Sequence, residues 1–149
     1  MAKGSGLVLC HENEKGIYGD NDDRCLDILK TFEGKIKGVF DPANFIQCGI
    51  ETYPYAFGQL KDKIYYMHIK DALPSGFVVP AGKGAGNVQK IVQEYISLGG
   101  TNFTIEPHLI AFKGLKFLER IGEKRQISYK YSDSDTAFDV ACDSFRELI

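Results

Sequence analysis

The 149-residue chain is 44% hydrophobic and 26% charged and carries a net charge of −2, which suits one globular domain with a real core. It has no basic block to attract nucleic acid or an anionic membrane, and no apolar run nears the roughly 18 residues that span a bilayer. The four cysteines, Cys10, Cys25, Cys48 and Cys142, form no CxxC pair, so they read as reduced thiols of a cytoplasmic protein and not as a zinc ribbon.

Residues 7–11 are the first apolar run and predict a strand. Residues 20–32 follow as a helix, with acids in the first turn and Cys25, Leu26, Ile28, Leu29 and Phe32 at helical spacing. Ile36–Phe40 is the second strand, stopped by Asp41-Pro42. A short helix is expected over 53–61, and Ile64–Ile69 is the third strand. Residues 74–86 form a glycine- and proline-punctuated loop. Asn87 is placed to cap a helix whose buried stripe is Val88, Ile91, Val92, Tyr95 and Ile96. Phe103–Ile105 is the fourth strand; 112–121 reads as helix and 127–131 as an extra strand or extended arm. A last helix begins at Ser134 or Asp135 and runs through Leu148, with Ala137, Phe138, Ala141, Phe145 and Leu148 on one face.

Strands alternating with helices imply a parallel sheet, and short, β-rich runs suit strands covered on both faces. Two architectures fit: an open four-stranded α/β sheet, or half of a (β/α)8 barrel. Both keep active-site groups at the carboxyl ends of the strands. Glu12, Asp41, His68 and Glu106 sit at the ends of the four runs, 29, 27 and 38 residues apart, and one βα unit takes roughly 30. Two glutamates, an aspartate and a histidine converging there make a plausible donor set for a divalent ion.

HENEKGIYGD, FDPANFIQCG, YMHIKDA, VPAGKGAGN and IEPHL together resemble the sugar phosphate isomerase/epimerase family, which has the xylose isomerase-like TIM barrel and is related to endonuclease IV. The resemblance runs from about Leu7 to the C-terminus and matches strands five to eight, so residues 1–149 are expected to be a single half-barrel domain; the family's first four βα units have no counterpart here. It implies one ligand from each strand, Glu12, Asp41, His68 and Glu106, for one divalent ion (Mn, Mg, Co or Zn). It also implies that Glu12 and Glu106 exchange the substrate proton on opposite faces of a sugar carbon. The implied activity is isomerisation or epimerisation of a sugar or sugar phosphate, with an inosose-type dehydratase as an alternative on the same fold. A nuclease is disfavoured, because the chain has only His11, His68 and His108. The rival of a different class is a non-catalytic half-barrel, an interaction or carbohydrate-binding remnant.

The neighbours of these four residues each carry two readings. Asn13 and Asn44 bind substrate hydroxyls or order their loops; Lys70 contacts substrate or is an exposed loop residue; His108 touches substrate or caps its loop. Strand alternation turns His11 to the opposite face, under the helices. The glycine-rich run 80–86 reads as a lid more than as a phosphate cradle. Half a barrel leaves one sheet face and two edge strands open, so the expected partner is a second copy in a homodimer or a complementary half-barrel.

Overall fold

The structure, a computed structural model, describes residues 4–110 and 131–149. The expected helix at 112–121 and most of the expected arm at 127–131 lie outside these residues. The strands are β1 (Leu9–Glu12), β2 (Ile36–Phe40), β3 (Ile64–Ile69), β4 (Asp71–Ala72), β5 (Val78–Val79) and β6 (Phe103–Ile105). The helices are α1 (Asp22–Thr31), α2 (Pro42–Gln47), α3 (Phe57–Leu60), α4 (Val88–Ser97) and α5 (Ser134–Arg146). Four strands make one sheet in the order β1-β2-β3-β6, every pair parallel. The connections place α1 between β1 and β2, α2 and α3 between β2 and β3, and α4 between β3 and β6.

Alternation sorts the strand residues onto two faces. Phe40, Met67, Ile69 and Phe103 meet the helices. Phe40 packs on Phe45 and Phe57 with ring centroids 5.1 and 5.5 Å apart, and Leu29, Leu60, Met67, Ile91 and Tyr95 belong to the same cluster. Burying one such ring contributes about 2–3 kcal/mol. A second cluster joins Ile69 to Ala81, Val88, Val92 and Leu148. On the other face, Cys10, Lys37, Val39, Tyr66 and Thr104 are left out of every core cluster: Cys10 and Lys37 are exposed, and the other three half-buried. His11 lies on the helix side, its Nε2 3.9 Å from the Cys25 sulfur, as alternation requires. No helix among the described residues is long and apolar enough to cross a membrane.

Several boundaries differ from expectation, each for a local reason. The first strand starts at Leu9, where the ladder with Ile36 begins; Leu7 is 72% exposed and its N–H donates to Ser5 Oγ instead. The first helix starts at Asp22 and not at residue 20: the Asn21 side chain accepts from Arg24 N at 2.9 Å, and Asp20 instead pairs with the Arg24 guanidinium at 2.7 Å. Asp41-Pro42 ends β2 and also opens α2, with Asp41 as the cap and Pro42 in the first turn, where its missing N–H costs nothing. The expected helix over 53–61 is a wide turn over Thr52–Ala56 followed by the four-residue α3, and non-helical Tyr53 breaks it. The stretch 74–86 contains β5, which pairs antiparallel with β4. Asn87 stands at the N-cap of α4, its carbonyl accepting from the Ile91 N–H at 3.1 Å, but its backbone is left-handed (φ 52°) and its side chain makes no cap bond. Ile96 and Phe138 are exposed (44% and 51%), so the buried stripes of α4 and α5 are narrower than the apolar pattern. The last helix is capped by Asp133 and ends at Arg146.

Candidate metal centre

Register brings the four strand ends together. The β2–β3 pairing sets Phe40 beside Met67, so the next residues, Asp41 and His68, are neighbours. The β3–β6 pairing sets Ile69 beside Ile105, so Lys70 and Glu106 are neighbours in turn. Glu12, at the end of β1, completes the group. His68 Nδ1 lies 2.9 Å from Glu12 Oε1, 3.3 Å from Glu106 Oε2 and 3.9 Å from Asp41 Oδ2. One donor atom from each of Glu12, Asp41, His68 and Glu106 lies within 4.8 Å of the others.

The donor set fits a divalent ion. Ligands about 2.1 Å from one ion stand about 3 Å apart when adjacent and about 4.2 Å apart when opposite. The three separations from His68 fall in that span, and 4.8 Å needs only a small inward shift. Three carboxylates and an imidazole suit a hard or borderline cation. Asp41 Oδ2 is buried and accepts no hydrogen bond of good geometry, which leaves a lone pair free for such an ion.

Lys70 lies in the middle of this group. It is 3% exposed, and its ammonium is 2.8 Å from Asp41 Oδ2 and 2.9 Å from Glu106 Oε2. The Asp41 contact meets the ion-pair distance but not hydrogen-bond angles. Burial works against the Lys70 charge, but the two carboxylates hold the ammonium above its ordinary value. Burial likewise opposes a charge on His68, and hydrogen bonds to Glu106 and Glu12 push that imidazole up to about 10. Glu106 is held well below the usual range, against its burial, by His68 and Lys70. Asp41, fully buried, is pushed up to about 6 despite Lys70 beside it.

Asn13, Asn44 and His108 also reach this cluster. Asn13 is 2% exposed; its amide donates to the Asp41 carbonyl at 2.9 Å and accepts from the Asp41 N–H at 2.8 Å. Asn44 is also buried and donates to Glu12 Oε1 at 3.3 Å and to the Asn13 carbonyl at 3.0 Å, while its own N–H caps onto Asp41 Oδ1 at 2.9 Å. These are the contacts of residues that order the strand ends. His108 Nε2 stands 3.2 Å from the second oxygen of Glu106.

The sequence singles out the glycine-rich run 80–86 but not its partner Asp71, and the reading of Lys70 and Asp71 as an exposed loop pair fails, since they are 3% and 0% exposed. Asp71 is fully buried and accepts four backbone N–H bonds, from Ala72 (2.8 Å), Gly86 (2.9 Å), Gly84 (2.9 Å) and Gly82 (3.0 Å). The glycine-rich loop thus wraps an internal carboxylate, and the amides that would cradle a phosphate are already used. A Cβ on Gly84 would overlap the Asp71 carboxylate and the Ala72 carbonyl. The available signal was the spacing Gly82, Gly84, Gly86, which points alternate amides to one side.

No family model and no curated protein matches the chain. Solved structures do. A xylose isomerase-like TIM barrel protein from Mycobacterium smegmatis, in complex with magnesium, is 16% identical with a TM-score of 0.65, over 98% of this chain and 44% of that one. A probable 3-DHS dehydratase, AsbF, involved in petrobactin synthesis in Bacillus anthracis, is 18% identical with a TM-score of 0.56, over 66% of this chain and 42% of that one. The chain therefore spans less than half the length of either. At such identities the likeness is one of fold, and the fold is that of part of a xylose isomerase-like TIM barrel.

Proposed function

We propose that the chain is the metal-binding half of a metal-dependent sugar or sugar-phosphate isomerase/epimerase. The observation that carries this reading is the meeting of Glu12, Asp41, His68 and Glu106 at the carboxyl ends of four parallel strands, the end where barrel enzymes keep their chemistry. These four residues hold one divalent ion of the Mn, Mg, Co or Zn type. When bound, such an ion polarises a sugar oxygen and stabilises the negative charge that develops as the adjacent carbon loses its proton.

Glu12 and Glu106 move that proton. They end β1 and β6, the outer strands of the sheet, so they stand on either side of His68 and can address opposite faces of one carbon. Their side chains are about a third open (30% and 31%), whereas Asp41 is sealed at 0%. His108, against the outer oxygen of Glu106, is positioned to orient that carboxylate or to bind substrate. The dehydratase among the fold neighbours supports a second reading of the same chemistry: abstraction of a proton beside a carbonyl, followed by loss of hydroxide in place of proton return.

The partner we assign is a second half-barrel, either another copy in a two-fold dimer or a complementary one. It would lie over the sheet face that carries Lys37, Val39 and Tyr66.

Titration calorimetry of the chelator-treated chain with manganese and with magnesium tests the function. One site per chain, weakened at least tenfold by Glu106→Gln, is expected, together with metal-dependent deuterium exchange at a sugar carbon that Glu12→Gln and Glu106→Gln each abolish. A chain that binds neither ion at millimolar concentration overturns the reading.

A further inference from the structure

We infer that Lys70 is a built-in counter-ion of the cluster: it holds Asp41 and Glu106 in the metal-free state and competes with a divalent ion for their inward oxygens, so that it sets the affinity of the site. This rests on reading the four-residue cluster as a cation site.

The geometry supports it in three ways. The register extended from β3 and β6 puts Lys70 directly beside Glu106, and its two-residue offset from His68 turns it to the same face. Its ammonium touches Asp41 Oδ2 and Glu106 Oε2, and these are the same two oxygens that face His68 Nδ1 at 3.9 and 3.3 Å. An ion seated among the four ligands therefore takes oxygens that already serve a cation. Lys70 is also buried, so solvent does little to screen its charge from an incoming ion. Removing one partner of a buried pair leaves an uncompensated charge, which destabilises the empty site and makes an added cation more welcome.

A counter-ion and a simple structural prop give opposite signs. If Lys70 only props up the strand ends, Lys70→Met disorders Asp41 and Glu106, and metal affinity falls with stability. If Lys70 is the counter-ion, Lys70→Met lowers the thermal midpoint of the metal-free chain and tightens manganese binding at least tenfold, and manganese then raises the midpoint by more than it does in wild type. Lys70→Gln, which keeps a hydrogen-bond donor without the charge, is expected to follow Lys70→Met in affinity. It also serves as the test if the methionine variant does not fold without metal.

Calorimetry and thermal unfolding with manganese on all three chains separate the outcomes. Wild type that binds, with both variants equal or weaker, overturns the counter-ion role and leaves the functional reading standing. Wild type that does not bind, with variants that do, supports the counter-ion role and counts against the functional reading. Binding by none of the three overturns both.

Discussion

Asn13 extends the sheet by side chain where the backbone ladder stops. The β1–β2 pairing ends with Glu12 beside Val39, and one residue on the Asn13 amide bonds both the N–H and the C=O of Asp41, as a neighbouring strand would. Asp41 is thereby fixed in its backbone before its carboxylate does anything. Asn13→Ala removes two buried hydrogen bonds and leaves the Asp41 N–H without this acceptor, at a cost of about 2–4 kcal/mol. Urea unfolding of the metal-free variant is expected to show that loss, with manganese affinity reduced as Asp41 loosens; an unchanged urea midpoint would count against this role. Glu12, Asp41, His68 and Glu106 are legible in the sequence because each ends an apolar run, and a parallel sheet gathers such ends. The part played by Asn13 is not legible. An asparagine after a glutamate looks the same whether its amide meets a sugar or a neighbouring backbone, and only the register between two strands decides.

At the scale of elements, Asp71 and the loop after it form one unit. β4 and β5 pair as a short hairpin, closed by Leu73 N–H to the Phe77 carbonyl at 2.8 Å. The chain then returns over Asp71 so that Gly82, Gly84 and Gly86 present their N–H groups to its two oxygens. Asp71→Ala strands four amides at once, three of them in the loop, and is expected to cost about 3–5 kcal/mol. Asp71→Asn is expected to cost less, since its amide oxygen still accepts. Gly84→Ala is expected to cost about 2–4 kcal/mol for a different reason, the overlap of its Cβ with Asp71. Hydrogen exchange is the direct readout: the amides of Gly82, Gly84 and Gly86 should lose protection together in Asp71→Ala, and independent behaviour would show that Asp71 does not organise the loop. Periodicity finds the long elements here and misses the short ones. The ten-residue α1 and α4 repeat their pattern over several turns, whereas the six-residue α2 and the two-residue β4 and β5 offer too few residues to show any period. In α2 the capping pair Asp41-Pro42 was the one available cue, and it reads equally well as a stop for β2.

Over the whole molecule, the described residues cover the sheet on one side only. The helices cover the face with Phe40, Met67 and Phe103, while among the described residues β1 and β6 are the edges and the face with Tyr66 and His68 has no core cluster. The sequence allows both an open sheet and part of a barrel, because four βα units alternate identically in each. The likeness to TIM barrel structures, of which the chain spans 44% and 42%, decides for the barrel fold. Unpaired strand edges favour association, and the β1 edge is apolar as well, with Leu7, Val8 and Leu9 72%, 48% and 49% exposed. Edge pairing through β1 with closure over Val39 and Tyr66 would bury side chains that are now partly wet, and a stable interface of this kind covers about 1,600 Å² in total. Sedimentation equilibrium at micromolar concentration is therefore expected to give a dimer, and Leu9→Lys, which sets a charge on the β1 edge, to shift it toward monomer at least tenfold in dissociation constant. A monodisperse monomer would count against a self-made partner and leave the complementary half-barrel. Because Glu12 lies on β1 and Glu106 precedes the segment that leaves β6, metal affinity should rise with association, and manganese should in turn strengthen the dimer by the same factor.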